Sequence, residues 1–277
     1  MIEDSATLLS GAAPTRRQAG RRRPPPGLGA LRGWLSTAAL LLAWQAASAA
    51  GWLSPRTLPG PDRLLATAWS MLQDGSLPHA LAISLSRVVQ GAILGGMVGV
   101  AAGIFAGFSR LGEDIVDKPM QMLRTIPFTA LVPLFILWFG IDETPKVLLV
   151  AFGVAVPLYI NTFGGIRNVD VKLVEVARVA RMGRLAIALR VLLPAALPTL
   201  LVGLRFALGL AWVAVIIAET VGADSGIGFL LTNARQFVRT DVMLVCVAVY
   251  ALLGLATDYL VRILERLLLS WRRVYVG

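Results

Sequence analysis

The sequence predicts an all-α membrane protein with six transmembrane helices. Hydrophobic residues make up 57% of the 277 residues and the mean hydropathy is +0.74, whereas soluble domains contain about 45–50% apolar residues. Six stretches of the chain approach the ~20 apolar residues that a helix needs to cross the ~30 Å hydrocarbon layer. Most of the 26 Lys and Arg residues lie between these stretches.

Residues 1–33 form a first segment that is rich in Arg and Pro. Such a composition has little apolar surface to bury, so we expect a disordered basic tail. Its paired arginines resemble a twin-arginine signal, but no Phe-Leu follows them and no small-residue cleavage site closes the next apolar stretch. We therefore interpret the tail as a cytoplasmic anchor of positive charge and residues 34–277 as one membrane domain.

The six apolar stretches follow this tail. Pro127, Pro133 and Pro157 lie inside them and are expected to kink their helices unless neighbouring groups satisfy the freed carbonyls. The predicted spans are Trp34–Leu53, Ala80–Phe108, Pro119–Phe139, Val147–Phe163, Ala195–Ala218 and Val242–Val261.

Glycine recurs every four residues in the second stretch, at Gly91, Gly95, Gly99 and Gly103. Small residues at this spacing line one face of a helix and allow another helix to approach closely. The second helix belongs either to the same chain or to another subunit, and we favour packing within the chain.

Residues 170–198, between the fourth and fifth stretches, form a strongly charged segment. Apolar residues recur there at helical spacing beside several arginines, and Asp170 can cap the first turn, which predicts a short amphipathic helix. Gly183 is expected to end this helix. Pro194 is expected to lie in the first turn of the next one, because its fixed φ and missing N–H suit that position.

Positive charge is distributed unevenly between alternate loops. If the amino terminus is cytoplasmic, the loops and termini on its side carry 18 Lys and Arg residues and the opposite loops carry 5. Because Lys and Arg concentrate on the cytoplasmic side, both termini and the charged segment are predicted to face the cytoplasm.

The charged segment resembles the EAA loop of ABC-importer permeases, in which Glu-Ala-Ala is followed at fixed distances by Gly and by an aliphatic-x-Leu-Pro ending. The matching residues are Glu175, Ala177, Val191, Leu193 and Pro194. Val176 replaces the first Ala, and Arg181 stands where the family has Gly. Gly183 follows two residues later, so we expect the turn to be displaced toward it.

The resemblance implies that a coupling loop, at about residues 166–193, contains a cytoplasmic coupling helix that docks into a cleft of a separate ATPase. Glu175 is the main candidate for contact with the ATPase, with Arg178 supporting it at i+3 or pairing across the interface, because charged side chains recognise a partner through specific pairs. The candidate coupling residues are Glu175, Ala177, Arg178, Arg181, Gly183, Leu193 and Pro194. The alternative is an amphipathic helix that lies at the membrane surface without a protein partner.

Further stretches are similar to permeases for alkanesulfonates, with taurine and nitrate permeases as near relatives. They cover most of the chain after Gly51 and read HALAISLSRV, QMLRTIPFTALVPLFILWFGIDE, PLYINTFGGIRNVD and VGLRFALGLAWVAVIIAETVGADSGIGFLLTNARQFVRTDV. The resemblance implies the type I ABC-importer permease fold and a bacterial plasma-membrane location. The implied substrate is a small organic anion, first of all an aliphatic sulfonate, with taurine and nitrate as alternatives.

The same resemblance implies an assembly of two permease copies, two cytoplasmic ATPase subunits and an extracytoplasmic substrate-binding protein. ATP and Mg would be used by the ATPases, so this chain would be a non-catalytic permease subunit that binds no cofactor or metal. Apart from membrane lipid, no other partner is implied.

Several other functions are disfavoured by the residues themselves. One Cys and one His provide neither a disulfide framework nor zinc-ligand spacing, and no lysine stands in a Gly-Lys-Ser/Thr motif that could bind ATP. The positive charge lies in loops rather than on a folded face that could read nucleic acid. An ion-coupled secondary transporter would need acidic residues near the midplane, and a multi-pass scaffold would not need the Glu-to-Pro spacing; both remain as alternatives.

Two arginines are candidates for an anion path. Arg205 lies about eleven residues into the predicted fifth span, roughly 16 Å deep at ~1.5 Å per residue. An Arg at that depth costs ~2.5–3.5 kcal/mol, which an ion pair with a passing anion would offset; a salt bridge within the bundle is the alternative. Arg124 is the second candidate, but it lies about five residues into its span and its side chain could instead extend to the cytoplasmic interface.

Overall fold

A computed structural model describes residues 26–269, with side chains from residue 35 onward, and every regular element in this range is helical. Most of the helices are long, and two short ones lie in the segment between α6 and α9. The helices are α1 (Pro26–Ala49), α2 (Pro61–Gln73), α3 (Ser76–Phe108), α4 (Arg110–Thr125), α5 (Phe128–Phe139), α6 (Glu143–Arg167), α7 (Val171–Val179), α8 (Arg184–Ile187), a π-helical turn (Ala188–Leu192), α9 (Leu193–Thr220), α10 (Ile227–Gln236) and α11 (Thr240–Leu268).

Four helices in the described part of the chain are long and apolar enough to cross a membrane: α3, α6, α11 and the continuous helix Arg184–Thr220. The number rises to five if α4 and α5, which meet at an angle of 107°, form one broken span. The apolar part of α1 within the described side chains, Leu35–Ala49, is shorter than a span. The prediction of six spans is therefore not confirmed.

The first helix begins earlier than the sequence predicts. Its backbone is helical from Pro26, inside the segment 1–33 that was expected to be a disordered tail. A proline is well tolerated at the start of a helix, because the first N–H groups have no partner within the helix. Residues 1–25 of the predicted tail, like residues 270–277, lie outside the described part of the chain.

The predicted span Pro119–Phe139 is two helices because the chain turns at Pro127. The residue before it, Ile126, has an extended backbone with φ −77° and ψ 122°, as expected for a residue that precedes proline. Pro127 then begins the turn into α5. Pro133 and Pro157, which were also expected to kink their helices, lie inside the continuous helices α5 and α6.

Helix α6 lies at the centre of the fold, between α3 and α9. It packs closely on α3, because a side chain added at Gly95 or Gly99 would overlap the backbone of Ala151 or Ala155 in α6. Gly91 and Gly103 meet Val150 and Thr162 of the same helix in the same way. The glycine repeat is thus confirmed as a contact within the chain.

An apolar cluster separate from the contact of α3 with α6 joins α2, α10 and α11 to the beginning of α3. It contains Met71, Leu77, Ile227 and Cys246, all of which are buried. Helix α10 is therefore packed against the bundle by its apolar side chains. This packing positions the amino terminus of α10 against α3 and α9.

Candidate functional site

The charged segment forms the short helix α7 that the sequence predicts, beginning at Val171. A carboxylate oxygen of Asp170 accepts a hydrogen bond from the backbone N–H of Lys172 at 2.9 Å. This bond satisfies one of the donors that the first turn leaves unpaired, so the predicted capping role of Asp170 is confirmed.

The end of α7 differs from the prediction. The helix ends at Val179, and Arg181 itself adopts the left-handed conformation, with φ 55°. Its backbone N–H bonds the carbonyl of Arg178 at 2.9 Å, and that of Met182 bonds the carbonyl of Ala177 at 3.1 Å. These are the two bonds of a Schellman motif.

The expected displacement of this turn to Gly183 is therefore wrong. The turn stays at Arg181, the position at which the EAA loop that this segment resembles has Gly, and Arg181 adopts the conformation that Gly would adopt more easily. Gly183 has φ −67° and precedes α8 instead. The two backbone bonds offset the strain of a left-handed residue that carries a side chain.

The outer surface of α7 carries charged and apolar side chains without partners in the described part of the chain. Glu175 and Arg178 are exposed and make no ion pair there, and Val176 and Val179 are 67% and 85% exposed. Ala177 is buried, and it faces the side on which α7 packs against α8 and the π-helical turn. Helix α7 is thus fixed on one side and open on the other.

Leu193 and Pro194 lie where the charged segment joins a long apolar helix. The sequence predicts a new helix at this point, but α8, the π-helical turn and α9 form one continuous helix from Arg184 to Thr220. The N–H of Leu193 reaches back five residues to the carbonyl of Ala188. A π-helical turn widens the backbone locally, and here it precedes a proline that has no N–H to donate.

Arg205 is paired within the chain. Its guanidinium lies 3.1 Å from a carboxylate oxygen of Asp258 and donates a hydrogen bond of 2.7 Å to Glu265, both on α11. The salt bridge within the bundle, which was the alternative to a place in the anion path, is present in the structure. Arg262 also pairs with Asp258, so this cluster has two cations and two anions.

Arg124 differs from Arg205 because it makes no hydrogen bond or ion pair with any residue of the described range. It is exposed at the last turn of α4 and lines a cavity of about 200 Å³. The wall of this cavity is otherwise almost entirely apolar, with Asn161 as its second polar side chain. The other lining residues are Leu123, Ile126, Phe128, Phe152, Gly153, Val156, Pro157, Ile160, Phe206 and Leu210.

The cavity lies near mid-height of α6. Helix α4 runs antiparallel to α6, because Glu113 at its beginning pairs with Arg167 and Asp117 accepts a hydrogen bond from Tyr159 at 3.0 Å. Arg124 at its end is consequently level with the segment 152–161, in the middle of the 25 residues of α6. The break at Pro127 keeps the guanidinium at this level.

A buried polar network was not predicted from the sequence. Arg87 is 1% exposed and donates two hydrogen bonds of 2.6 Å to Glu143 and one of 2.8 Å to Glu219. Lys146 adds a third cationic contact, at 3.1 Å to Glu143. The network thus fastens α3 to α6 and α9 through paired charges.

Glu219 extends this network to the beginning of α10. Its second carboxylate oxygen accepts a hydrogen bond from the N–H of Gly228 at 2.8 Å, and Ser84 bonds both the carboxylate and the N–H of Ile227. A carboxylate is stabilised at a helix amino terminus. Gly226 has φ +105°, and a Cβ there would lie 2.5 Å from the carboxyl carbon of Glu219, so the loop approaches only because the residue is glycine.

One signal in the sequence could have revealed Arg87. It lies inside the predicted span Ala80–Phe108, and a charged residue in an apolar helix requires a partner. Its partners are 56 and 132 residues away, and this pairing leaves no pattern in the sequence.

Comparison with known proteins identifies relatives over most of the chain. Residues 95–270 match the family model of the binding-protein-dependent transport system inner membrane component. The chain is 48% identical over 242 residues to the putative aliphatic sulfonates transport permease protein SsuC of Escherichia coli, covering 87% of this chain and 92% of that protein. It is 43% identical over 268 residues to the SsuC protein of Bacillus subtilis, covering 97% and 96%.

More distant similarities extend to a taurine permease by sequence and to a solved transporter structure by fold. The taurine transport system permease protein TauC of Escherichia coli is 32% identical over 84% of this chain and 87% of its own. A solved structure of the MetNI methionine ABC transporter superposes with a TM-score of 0.56, covering 71% of this chain and 97% of that chain at 20% identity. This last similarity concerns the fold alone.

Proposed function

The chain belongs to the family of binding-protein-dependent transport system inner membrane components, the permease subunits of ABC importers, and we propose that it carries an aliphatic sulfonate across a bacterial plasma membrane. One observation carries the choice of substrate. Two aliphatic sulfonate permeases, from Escherichia coli and Bacillus subtilis, are 48% and 43% identical over nearly their whole lengths, whereas the taurine permease is 32% identical.

Helix α7 is the proposed coupling helix. Its free surface combines Glu175 and Arg178 with exposed valines, a combination that suits a protein cleft better than water. Ala177 and the Schellman turn hold the helix against the rest of the segment, and Leu193 and Pro194 connect it to α9. A displacement of α7 by an ATPase would therefore reach the membrane helix directly.

The proposed assembly contains two copies of this chain, two cytoplasmic ATPase subunits and an extracytoplasmic binding protein. The ATPases hydrolyse ATP with Mg, and the permease provides the path. The loop charges of 18 against 5 support cytoplasmic termini and a cytoplasmic α7. Residues 1–25 belong to the proposed basic tail on that side.

Growth tests the proposed substrate. A bacterial strain that lacks its own sulfonate permease, but retains the matching ATPase and binding protein, should regain growth on an alkanesulfonate as sole sulfur source when it expresses this chain. The same strain should grow on sulfate with or without the chain. Growth on taurine but not on alkanesulfonates would replace the proposed substrate, and growth on neither would refute the sulfur-compound assignment.

A charge substitution tests coupling. Glu175→Ala should insert normally but reduce both co-purification of the ATPase and transport, because it removes a charged contact from the docking surface. Asp142→Ala is the matched control, since Asp142 is an exposed acid whose side chain makes no hydrogen bond or ion pair within residues 35–269, and it precedes α6 at the opposite end of that helix from α7. Normal substrate-stimulated ATP turnover in Glu175→Ala would exclude this residue from coupling.

Reporter fusions test the orientation. Reporters placed after Gly33, Gly183 and Gly277 should be cytoplasmic, and one placed between Gly222 and Gly228 should be outside. An external signal at Gly183 would contradict the coupling role of α7.

A further inference from the structure

Within residues 35–269, Arg124 is a cation without a hydrogen bond or ion pair, and it lies level with the middle of α6, where a membrane is least polar. Its guanidinium lines a cavity beside the middle of α6, and it finds no carboxylate in the described part of the chain. Arg205, which like Arg124 lies inside a predicted membrane span, has two acidic partners. A charged side chain at this depth is costly unless it is paired or faces water, so an exposed and unpaired Arg124 suits a water-filled path in which its guanidinium can bind an anion.

The cavity has a polar end, formed by Arg124 and Asn161, and an apolar part formed by its other lining residues. Asn161 donates one amide hydrogen to the carbonyl of Pro157 at 2.9 Å, which leaves its second amide hydrogen available. Phe128, Phe152 and Phe206 provide aromatic surface beside these two polar groups. A ligand that matches this lining has an anionic head with strong acceptor oxygens and an aliphatic chain.

The break in the predicted third span creates this arrangement. Helix α4 ends one residue after Arg124, and α5 begins with Phe128 directly after Pro127, so the turn between them supplies both the cation and part of the apolar wall. Gly153 of α6 leaves room for the Phe128 ring, because a Cβ there would lie 3.1 Å from the ring. Interrupted membrane helices form substrate sites in other transporters for the same reason, since they place polar groups at mid-depth.

We propose that this cavity is the membrane subsite for the transported sulfonate, in which Arg124 and Asn161 hold the sulfonate oxygens and the three phenylalanines contact the alkyl chain. This inference rests on the proposed function and extends it to named residues. A cavity of about 200 Å³ holds several water molecules, so a short alkanesulfonate fits in it. The guanidinium fork matches an oxyanion with several acceptor oxygens.

The test uses the complete importer in proteoliposomes, with saturating loaded binding protein outside and ATP inside. Uptake of methanesulfonate and pentanesulfonate is measured together with ATP hydrolysis. Arg124→Gln should lower the number of sulfonates imported per ATP at least about tenfold, and Arg124→Lys should restore part of the loss. Arg110→Gln is the matched control, because Arg110 lies on the same helix, is exposed and lines no part of the cavity.

A second variant, Phe206→Ala, tests the apolar part of the cavity. Phe206 is 61% exposed, so Phe206→Ala should assemble normally. It should reduce the preference for pentanesulfonate over methanesulfonate at least about fourfold, the equivalent of one buried methylene.

Three outcomes would contradict this assignment. An unmodified importer that takes up no sulfonate would overturn both the proposed function and the subsite. Sulfonate uptake that is normal in the unmodified importer and equal in Arg124→Gln would overturn the subsite alone. Failure of Arg124→Gln to assemble, when Arg110→Gln assembles, would make Arg124 a structural residue and also overturn the subsite.

Discussion

The contact between α3 and α6 can be tested by replacing each of two adjacent glycines, Gly95 and Gly96, with alanine. A Cβ added at Gly95 would lie 2.8 Å from the carbonyl carbon of Ala151 and closer still to its oxygen. Ordinary contact begins near 3.4 Å, so the helices would have to separate by about 0.6 Å or more. A Cβ added at Gly96 would meet nothing nearer than Leu158 at 3.7 Å.

Gly95→Ala and Gly96→Ala therefore differ mainly in the steric overlap that the added methyl group creates. Gly→Ala raises helix propensity by ~1 kcal/mol in both, and this gain cancels in the comparison. Overpacking costs ~1–3 kcal/mol, and the backbone of Ala151 cannot rotate away as a side chain could. We expect Gly95→Ala to be less stable than Gly96→Ala by ~2 kcal/mol, or about 4–8 °C in melting temperature for a chain of this size.

The assay is thermal unfolding of each purified variant in the same detergent and with the same ATPase partner bound. Gly96→Ala should melt at or slightly above the temperature of the unmodified protein, and Gly95→Ala clearly below it. If Gly95→Ala melts at or above Gly96→Ala, the close packing of α3 on α6 is not as described.

Three further predictions use thermal unfolding, and the third also uses the uptake assay. Arg181→Gly should raise stability by ~1 kcal/mol by relieving a left-handed backbone, whereas Gly183→Ala should change little; equal effects would argue against strain at Arg181. Glu219→Gln should cost about 1–3 kcal/mol, because Arg87 keeps Glu143 but loses its fully buried carboxylate partner. The cost should exceed that of Glu143→Gln, because the Glu143 side chain is 59% exposed; the reverse order would contradict the network. Arg205→Gln should lower the melting temperature but leave uptake per ATP unchanged. An unchanged melting temperature with reduced uptake per ATP would return Arg205 to the anion path.

The helical class and the short helix α7 were predictable because their signals are local. Asp170 caps α7 through its neighbour two residues away, and the apolar spacing that follows needs no distant partner. The end of the helix was not predictable, because Arg181 adopts a conformation that sequence preference assigns to glycine. Two backbone hydrogen bonds outweigh that preference, and no residue pattern encodes them.

The candidate anion path changed for a tertiary reason. Sequence depth alone favoured Arg205 over Arg124, but the acidic partners of Arg205 lie on α11, some 60 residues later in the chain. Depth counting also treated the stretch 119–139 as one membrane span, whereas the chain breaks at Pro127 and Arg124 lies level with the middle of α6. Long-range pairs and helix breaks thus decided which arginine remains free.

ATP-dependent accumulation of a labelled alkanesulfonate in proteoliposomes tests the central claim most directly. The vesicles contain this chain and its ATPase, ATP and Mg are enclosed, and the loaded binding protein is outside. Accumulation should require enclosed ATP and the binding protein, and it should persist when proton and sodium gradients are collapsed. Accumulation that is independent of ATP and abolished by collapsing those gradients would contradict the claim and identify an ion-coupled transporter.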